Sequence, residues 1–172
     1  MTTLNGGVTV SGGEPLGQVE FVLELFKELK KQEIHTVLDT AGSYKITPEI
    51  EELLSYTDLV ILDIKHIVNE KCIELTGLSN ENELNFAKYL SKKNIPMWIR
   101  QVLIPGITND ESDLITLKIF INTLNNVQKV EILPYHDLGK FKWDNLGLKY
   151  PLKDVPLPTD EEIYKAKKIL GI

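Results

Sequence analysis

Five short apolar runs, each followed by a segment of helical periodicity, recur along the 172-residue chain. The runs are rich in β-branched residues, which favour strands, and they cover residues 6–10, 35–42, 58–66, 95–106 and 127–134. Connections long enough to hold a helix join neighbouring strands in parallel. The alternation therefore predicts an α/β fold in which five parallel strands are covered by outer helices.

Helices are expected over residues 15–32, 47–54, 80–92, 114–124 and 159–171. Asn80 with Glu83, and Thr159 with Glu162, have the spacing of capping boxes at two of the helix starts. The run at 58–66 is apolar at alternating positions on both sides until Asp63 and Lys65. That pattern is typical of a parallel strand covered on both faces.

Composition limits the classes of protein that this chain can represent. A length of 172 residues with 42% apolar residues suits one domain over residues 1–172. The net charge of −6 comes without a long basic block, so we expect neither a nucleic-acid nor a membrane partner. The sequence has no signal peptide and no membrane-length apolar run, which predicts a cytoplasmic protein. Its single cysteine, Cys72, excludes an internal disulfide and a Cys-x-x-Cys metal site.

Polar and glycine residues stand at or near the carboxyl ends of all five predicted strands, where parallel α/β folds bind ligands. Two adjacent glycines after the first strand would let a ligand approach the main chain closely. The acid that follows them can pair with an ammonium group, or it can simply favour the start of the next helix. The candidate site residues are Ser11, Gly12, Gly13, Glu14, Asp39, Thr40, Asp63, Lys65, Arg100 and His136.

Taken singly, each candidate has a structural explanation. Asp39 could cap a turn, Asp63 and Lys65 could pair with each other, and Arg100 could clamp one of the aspartates. His136 could be a core or loop histidine. Recurrence of polar residues at the same end of five strands favours a shared site instead, and His35 and His66, which lack this support, are assigned no role.

The chain resembles the pyruvate formate-lyase activating enzymes, a family of radical S-adenosylmethionine (SAM) enzymes in the glycyl-radical-activating group. The resemblance is collinear over nearly the whole chain and implies a partial TIM-like barrel. The motifs that carry it are GVTVSGGE at 7–14, HTVLDT at 35–40, LDIK at 62–65, WIR at 98–100 with Pro105-Gly106, and LPYH at 133–136 with Gly139-Lys140 and Lys142-Trp143.

The resemblance implies a role for each candidate residue. The segment from Ser11 to Glu14 would hold the amino end of SAM, and Asp39 and Thr40 would lie by its carboxylate and ammonium. Asp63 and Lys65 would contact the methionine and ribose region. Two aspartates beside a carboxylate would repel it unless a cation lay near Asp39 and Asp63.

His136 would lie against the ribose and adenine of SAM. Arg100 would reach both the cofactor and the glycine loop of the protein substrate. No side chain in this set would act as an acid or base.

The chain departs from the family in one respect. The family holds a [4Fe–4S] cluster with a Cys-x-x-x-Cys-x-x-Cys loop upstream of the Gly-Gly-Glu stretch, and Cys72 alone cannot replace it. We therefore expect a C-terminal part of an activating enzyme whose first strand-helix unit is missing. The edge strand at 8–11 would then be exposed, which predicts self-association or local disorder at residues 1–10.

For a complete enzyme the resemblance implies reductive cleavage of SAM to a 5′-deoxyadenosyl radical, which makes a glycyl radical on formate acetyltransferase. Flavodoxin or ferredoxin would supply the electron. Two alternatives follow from the missing cysteines: a catalytically silent module that binds SAM or a partner, and a partial barrel of structural value only.

Overall fold

The computed structural model describes residues 6–172, and within them the chain forms five β-strands and seven α-helices. The strands are β1 (Gly7–Val10), β2 (His35–Thr40), β3 (Leu59–Asp63), β4 (Met97–Leu103) and β5 (Val127–Pro134). The helices are α1 (Val19–Lys31), α2 (Pro48–Ser55), α3 (Asn69–Thr76), α4 (Glu81–Lys92), α5 (Glu111–Ile121), α6 (Lys140–Asn145) and α7 (Asp160–Leu170). The predicted alternation of strands and helices is confirmed.

The five strands form one open sheet in the order β1-β2-β3-β4-β5, with every neighbouring pair parallel. Successive strands of the chain are thus neighbours in space, as short right-handed crossovers favour. The carboxyl ends of all five strands consequently lie along the same edge of the sheet. The predicted parallel α/β sheet with outer helices is confirmed.

The hydrophobic core lies between one face of the sheet and the helices. Alternation along β4 shows the arrangement, because Met97, Ile99 and Leu103 are buried while Trp98 and Arg100, which point the other way, stay partly exposed. Full burial of a leucine-sized side chain contributes about 1.5–3 kcal/mol, so the helix-covered face supplies most of the stability. The other face, which we call the concave face, is open to a ligand.

Several local expectations were wrong. The run at 58–66 is covered on both faces only at its start, since Leu59 is buried but Ile61, two residues further along the same face, is only partly buried. The helix expected from residue 15 begins as a 3₁₀ helix over Pro15–Gln18, and α3 and α6 were not predicted. Asn80 makes no side-chain capping bond at α4, whereas the capping box of Thr159 and Glu162 is present at α7.

β1 is the first strand in the order of the sheet, and it hydrogen-bonds to β2 over Gly7–Val10. The remainder of the segment for which disorder was expected, residues 1–5, lies outside the described residues. No helix within residues 6–172 combines the length and the apolar character that crossing a bilayer requires.

Candidate functional site

The predicted site residues lie at one edge of the sheet. Ser11 to Glu14 follow β1, Asp39 and Thr40 end β2, and Asp63 ends β3, with Lys65 two residues further on. His136 follows β5 by two residues, whereas Arg100 is in the middle of β4 and reaches its neighbours through its long side chain.

Arg100 joins three strands. Its Nη2 donates to Asp39 Oδ1 on β2 at 2.5 Å, and its Nε donates to Asp63 Oδ1 on β3 at 2.5 Å. The second contact is favoured by the register, in which Asp63 is the β3 partner of Arg100. All three side chains are less than a fifth exposed. Arg100 is therefore a clamp on both aspartates, which charge-assisted hydrogen bonds in a half-buried site make strong.

Lys65 completes the charge balance around Asp63. Its Nζ donates to Asp63 Oδ2 at 3.0 Å, opposite the oxygen that Arg100 holds. Burial acts to raise the pKa of Asp63, but the hydrogen bonds and charges of Arg100 and Lys65 outweigh it and lower the pKa below its usual value. Asp63 is thus held ionised, and the hydrogen bond to Asp63 in turn raises the pKa of Arg100.

Glu14 ties the turn after β1 to the end of β2. Its carboxylate accepts hydrogen bonds from Thr40 Oγ1 at 2.5 Å, from the Ala41 backbone N–H at 2.9 Å and from the Leu16 backbone N–H at 3.1 Å. The last contact caps the 3₁₀ helix, so the structural reading of Glu14 is confirmed. Thr40 Oγ1 also accepts from the Gly42 N–H, which fixes the turn that follows β2.

The two glycines leave the main chain open between Ser11 and Glu14. Gly12 has φ +97° and Gly13 has φ +54°, and at neither position does any atom lie within 4 Å of where a Cβ would stand. Ser11 Oγ donates to Asp39 Oδ2 at 3.1 Å. The backbone of this turn thus presents polar groups beside the Asp39–Arg100 pair without a side chain in the way.

His136 lies apart from this network. With Val102, Leu133, Pro134 and Tyr135 it lines a cavity of about 400 Å³. Larger cavities lie elsewhere, one of about 550 Å³ at the opposite ends of the strands beside Asp58 and Pro96. Unlike that cavity, the His136 cavity includes a predicted site residue.

Sequence reasoning missed two charged residues on the concave face of β5. Glu131 is the β5 partner of Arg100, and Lys129 pairs with Glu131 while its Nζ stands 4.6 Å from the centre of the Trp98 ring. The available signal was the alternation of Lys129, Glu131 and Leu133, which places these three side chains on one face of the strand. The Lys129–Glu131 pair extends the polar surface of the concave face to β5, the last strand of the sheet.

The residues of this chain do not fit an iron–sulfur cluster. The sequence contains one cysteine, Cys72, whereas such clusters are held by several thiolates. Cys72 is 1% exposed on α3, and burial raises the pKa of its thiol. Among residues 6–172, no three His, Cys, Asp or Glu side chains are grouped so as to hold a metal ion.

Comparison with known proteins relates the sequence of this chain to one family. The profile of the Radical SAM superfamily matches residues 5–117. The chain is 55% identical over 171 residues to pyruvate formate-lyase-activating enzymes of Staphylococcus epidermidis and Staphylococcus aureus, covering 96% of this chain and 68% of each relative.

Solved structures share the fold. A domain of a pyruvate-formate lyase-activating enzyme from Bacteroides vulgatus superposes with a TM-score of 0.80 at 24% identity, covering 96% of this chain and 93% of that one. A radical SAM methyltransferase from Sphaerobacter thermophilus superposes with a TM-score of 0.72 at 17% identity, covering 96% and 48%. These matches show the fold, and the profile and the sequence relatives show that the chain belongs to the pyruvate formate-lyase-activating enzymes of the radical SAM superfamily.

Proposed function

We propose that this chain, as a single domain, is the SAM-binding and substrate-facing part of a pyruvate formate-lyase-activating enzyme. The observation that carries the proposal is the clamp in which Arg100 joins Asp39 and Asp63 beside Lys65, at the strand ends where α/β folds bind ligands. Family membership supports the same reaction class. The partner is a glycyl-radical enzyme, formate acetyltransferase.

The charge of the site complements SAM. The site contains three acids, Glu14, Asp39 and Asp63, and two bases, Lys65 and Arg100, so these side chains carry one net negative charge. SAM carries a sulfonium, an ammonium and a carboxylate, and so has one net positive charge. Half-buried charges need partners of opposite sign, and a ligand with charges of both signs can supply them without leaving any unpaired.

Arg100 can hold the aspartates and still contact a ligand. A guanidinium has five N–H donors, and the two bonds to Asp39 and Asp63 use two of them. The remaining donors are available to the carboxylate of SAM or to the backbone of a substrate peptide. The guanidinium also places positive charge between the two aspartates, where the sequence suggested a cation.

The other candidate residues suit different parts of SAM. The open backbone at Gly12 and Gly13, beside Ser11, suits the amino end of SAM. The bond between Thr40 and Glu14 holds the turn after Ser11 against the end of β2, where Asp39 lies, and the cavity beside His136 suits the ribose and adenine. When bound, SAM supplies the hydrogen-abstracting chemistry that acts on a glycine of the partner protein.

A second candidate function has one specific observation in its favour. Because the only cysteine of the sequence is the buried Cys72, this chain holds no cluster by itself, and it can act as a SAM-binding or partner-binding module.

In the first proposal, a flavodoxin or ferredoxin is the electron donor. Strand addition at the β1 edge would give self-association in either case.

Binding of SAM to the purified chain tests the shared part of both candidates. Isothermal titration with SAM and with S-adenosylhomocysteine, which lacks the sulfonium charge, should show tighter binding of SAM. Asp63→Asn should weaken SAM binding roughly ten- to hundredfold, the usual value of one charge-assisted hydrogen bond. Asp154→Asn is the matched control, since Asp154 is exposed and distant in sequence from the strand ends. Equal affinities of the two aspartate variants would contradict the site.

Turnover separates the two candidates. The chain is incubated with iron, sulfide, a reductant, SAM and formate acetyltransferase, and 5′-deoxyadenosine and the glycyl radical are measured. We expect no product from this chain alone, and product when a polypeptide that carries the family's three-cysteine loop is added. Product from the chain alone would refute the cysteine argument, and no product in either mixture would favour the binding module.

A further inference from the structure

His66, to which the sequence assigned no role, is buried between two loops at the ligand-binding edge of the sheet. Its side chain is 1% exposed. One loop is its own, which follows β3 and carries Lys65, and the other follows β4 and contains Pro105, Gly106 and Ile107. A buried imidazole has two nitrogens that each need a partner, and the partners decide what the ring does.

The hydrogen bonds of His66 define its tautomer. Nδ1 accepts from the Val68 backbone N–H at 3.0 Å, so it carries no proton. The proton is therefore on Nε2, which lies 3.1 Å from the Ile107 carbonyl oxygen and donates to it. Asp113 Oδ2 stands 3.5 Å from Nε2, but it already pairs with Lys71 Nζ at 2.5 Å and does not require a charged ring. The neutral Nε2–H form satisfies both nitrogens.

Other buried side chains fix the two loops on either side of this ring. Asn80, the residue before α4, donates from Nδ2 to the carbonyl oxygens of His66 at 3.0 Å and Ile67 at 2.8 Å. In the other loop, Thr108 Oγ1 donates to the Val102 carbonyl and accepts from the Ile104 N–H, both at 2.7 Å. The Nε2–H bond thus joins two loops that are each internally fixed, one of which holds the Lys65 that pairs with Asp63.

We propose that His66 is a positioning residue for the SAM site. Its hydrogen bond to the Ile107 carbonyl couples the loop that carries Lys65 to the Pro105–Gly106 turn, so that the two loops form one wall of the site. This inference rests on the proposed function for its ligand. The coupling itself is a property of the chain and can be measured without SAM.

Two substitutions test the hydrogen bonds of the two His66 ring nitrogens separately. His66→Gln places an amide N–H near the position of Nε2 and keeps the donor to Ile107, whereas His66→Asn keeps an acceptor near Nδ1 for Val68 but cannot reach Ile107. We expect H66Q to bind SAM within about threefold of the wild type and H66N to bind it roughly three- to tenfold more weakly, the effect of one hydrogen bond. His35→Asn, at an exposed histidine, should leave affinity unchanged.

Measurements without ligand test the coupling directly. Nitrogen-15 NMR of the histidine rings should show His66 as the neutral Nε2–H tautomer, and amide exchange at residues 106–108 should be faster in H66N than in H66Q. A protonated Nδ1, or equal exchange in the two variants, would overturn the inference. Equal SAM affinity of H66N and the wild type would overturn it as well.

Thermal unfolding of the variants tests whether a general loss of stability explains their SAM affinities. If SAM affinity falls in H66Q and H66N in proportion to their loss of stability, His66 has only a structural role and the inference fails. If the wild type itself does not bind SAM, the proposed function fails, and amide exchange alone decides whether His66 couples the loops.

Discussion

Glu83 makes the stability of this protein depend on pH in a direction opposite to that of an ordinary ion-paired acid. It lies on α4 beneath the loop that carries Lys65, is 4% exposed, and has an Oε1 without a hydrogen-bond partner among the described residues. Burial raises the pKa of Glu83 from 4.5 to about 8, although the backbone N–H groups of Lys65 and His66 and the Lys65 charge favour the carboxylate. The folded protein therefore prefers the neutral acid.

The sign and size of the effect follow from proton linkage. As pH rises above 4.5, the unfolded chain releases the Glu83 proton while the folded chain keeps it until about pH 8. The unfolded state then binds fewer protons, so the free energy of unfolding falls with pH across that window. At about 1.4 kcal/mol for each pKa unit, the expected loss between about pH 5 and about pH 8 is roughly 3 kcal/mol.

Urea unfolding of the wild type and Glu83→Gln at several pH values measures this loss. Glutamine has the size of the neutral acid and does not ionise, so the difference in unfolding free energy between E83Q and the wild type should grow by about 3 kcal/mol over the window. Other titrating groups cancel in this difference. Glu81→Gln, at an exposed position in the first turn of the same helix, should show no such growth. A difference for E83Q that does not change with pH would refute the reasoning.

Three further results are expected from the same structure. Gly42→Ala should destabilise the fold by about 1–3 kcal/mol more than Gly77→Ala in urea unfolding, because both have positive φ but only at Gly42 would a Cβ stand 2.9 Å from the Leu62 Cδ1 atom; equal losses would contradict this. Thr159→Ala should cost about 1 kcal/mol by thermal unfolding, since it removes the capping box of α7, and an unchanged melting temperature would argue against it. Arg100→Lys keeps the charge but loses the fork that joins two strands, and we expect it to weaken SAM binding at least about tenfold; wild-type affinity by titration would disprove the clamp.

Alternation and strand order were sufficient to predict the sheet and the edge at which the polar residues meet. Asp63 ends a strand and Arg100 shares a face with Trp98, so both could be placed on the concave side from the sequence. The bonds between them could not be derived, because they depend on the register of β3 and β4 and on the reach of a long side chain. Two of the structural explanations, an Asp63–Lys65 pair and an Arg100 clamp on an aspartate, are correct. They do not exclude a shared site, since Asp63 makes both contacts at once.

The errors arose where a distant partner outweighed a local signal. Asn80 and Glu83 have the spacing of a capping box, but the Asn80 amide binds the carbonyls of His66 and Ile67 instead. His66 itself gave no signal, since a lone histidine after a strand has no periodicity to interpret. The helix α6 buries no side chain, so it lacks the apolar stripe by which sequence analysis finds helices.

Cys72 provides a way to time the opening of this part of the molecule. The thiol is buried on α3, and burial raises its pKa, so in the closed state an aqueous thiol reagent neither reaches it nor finds a thiolate. Labelling must then proceed through transient exposure, and its rate reports how often that exposure occurs. Because the sequence contains no second cysteine, the wild-type chain gives this kinetic signal from one known position without any engineering.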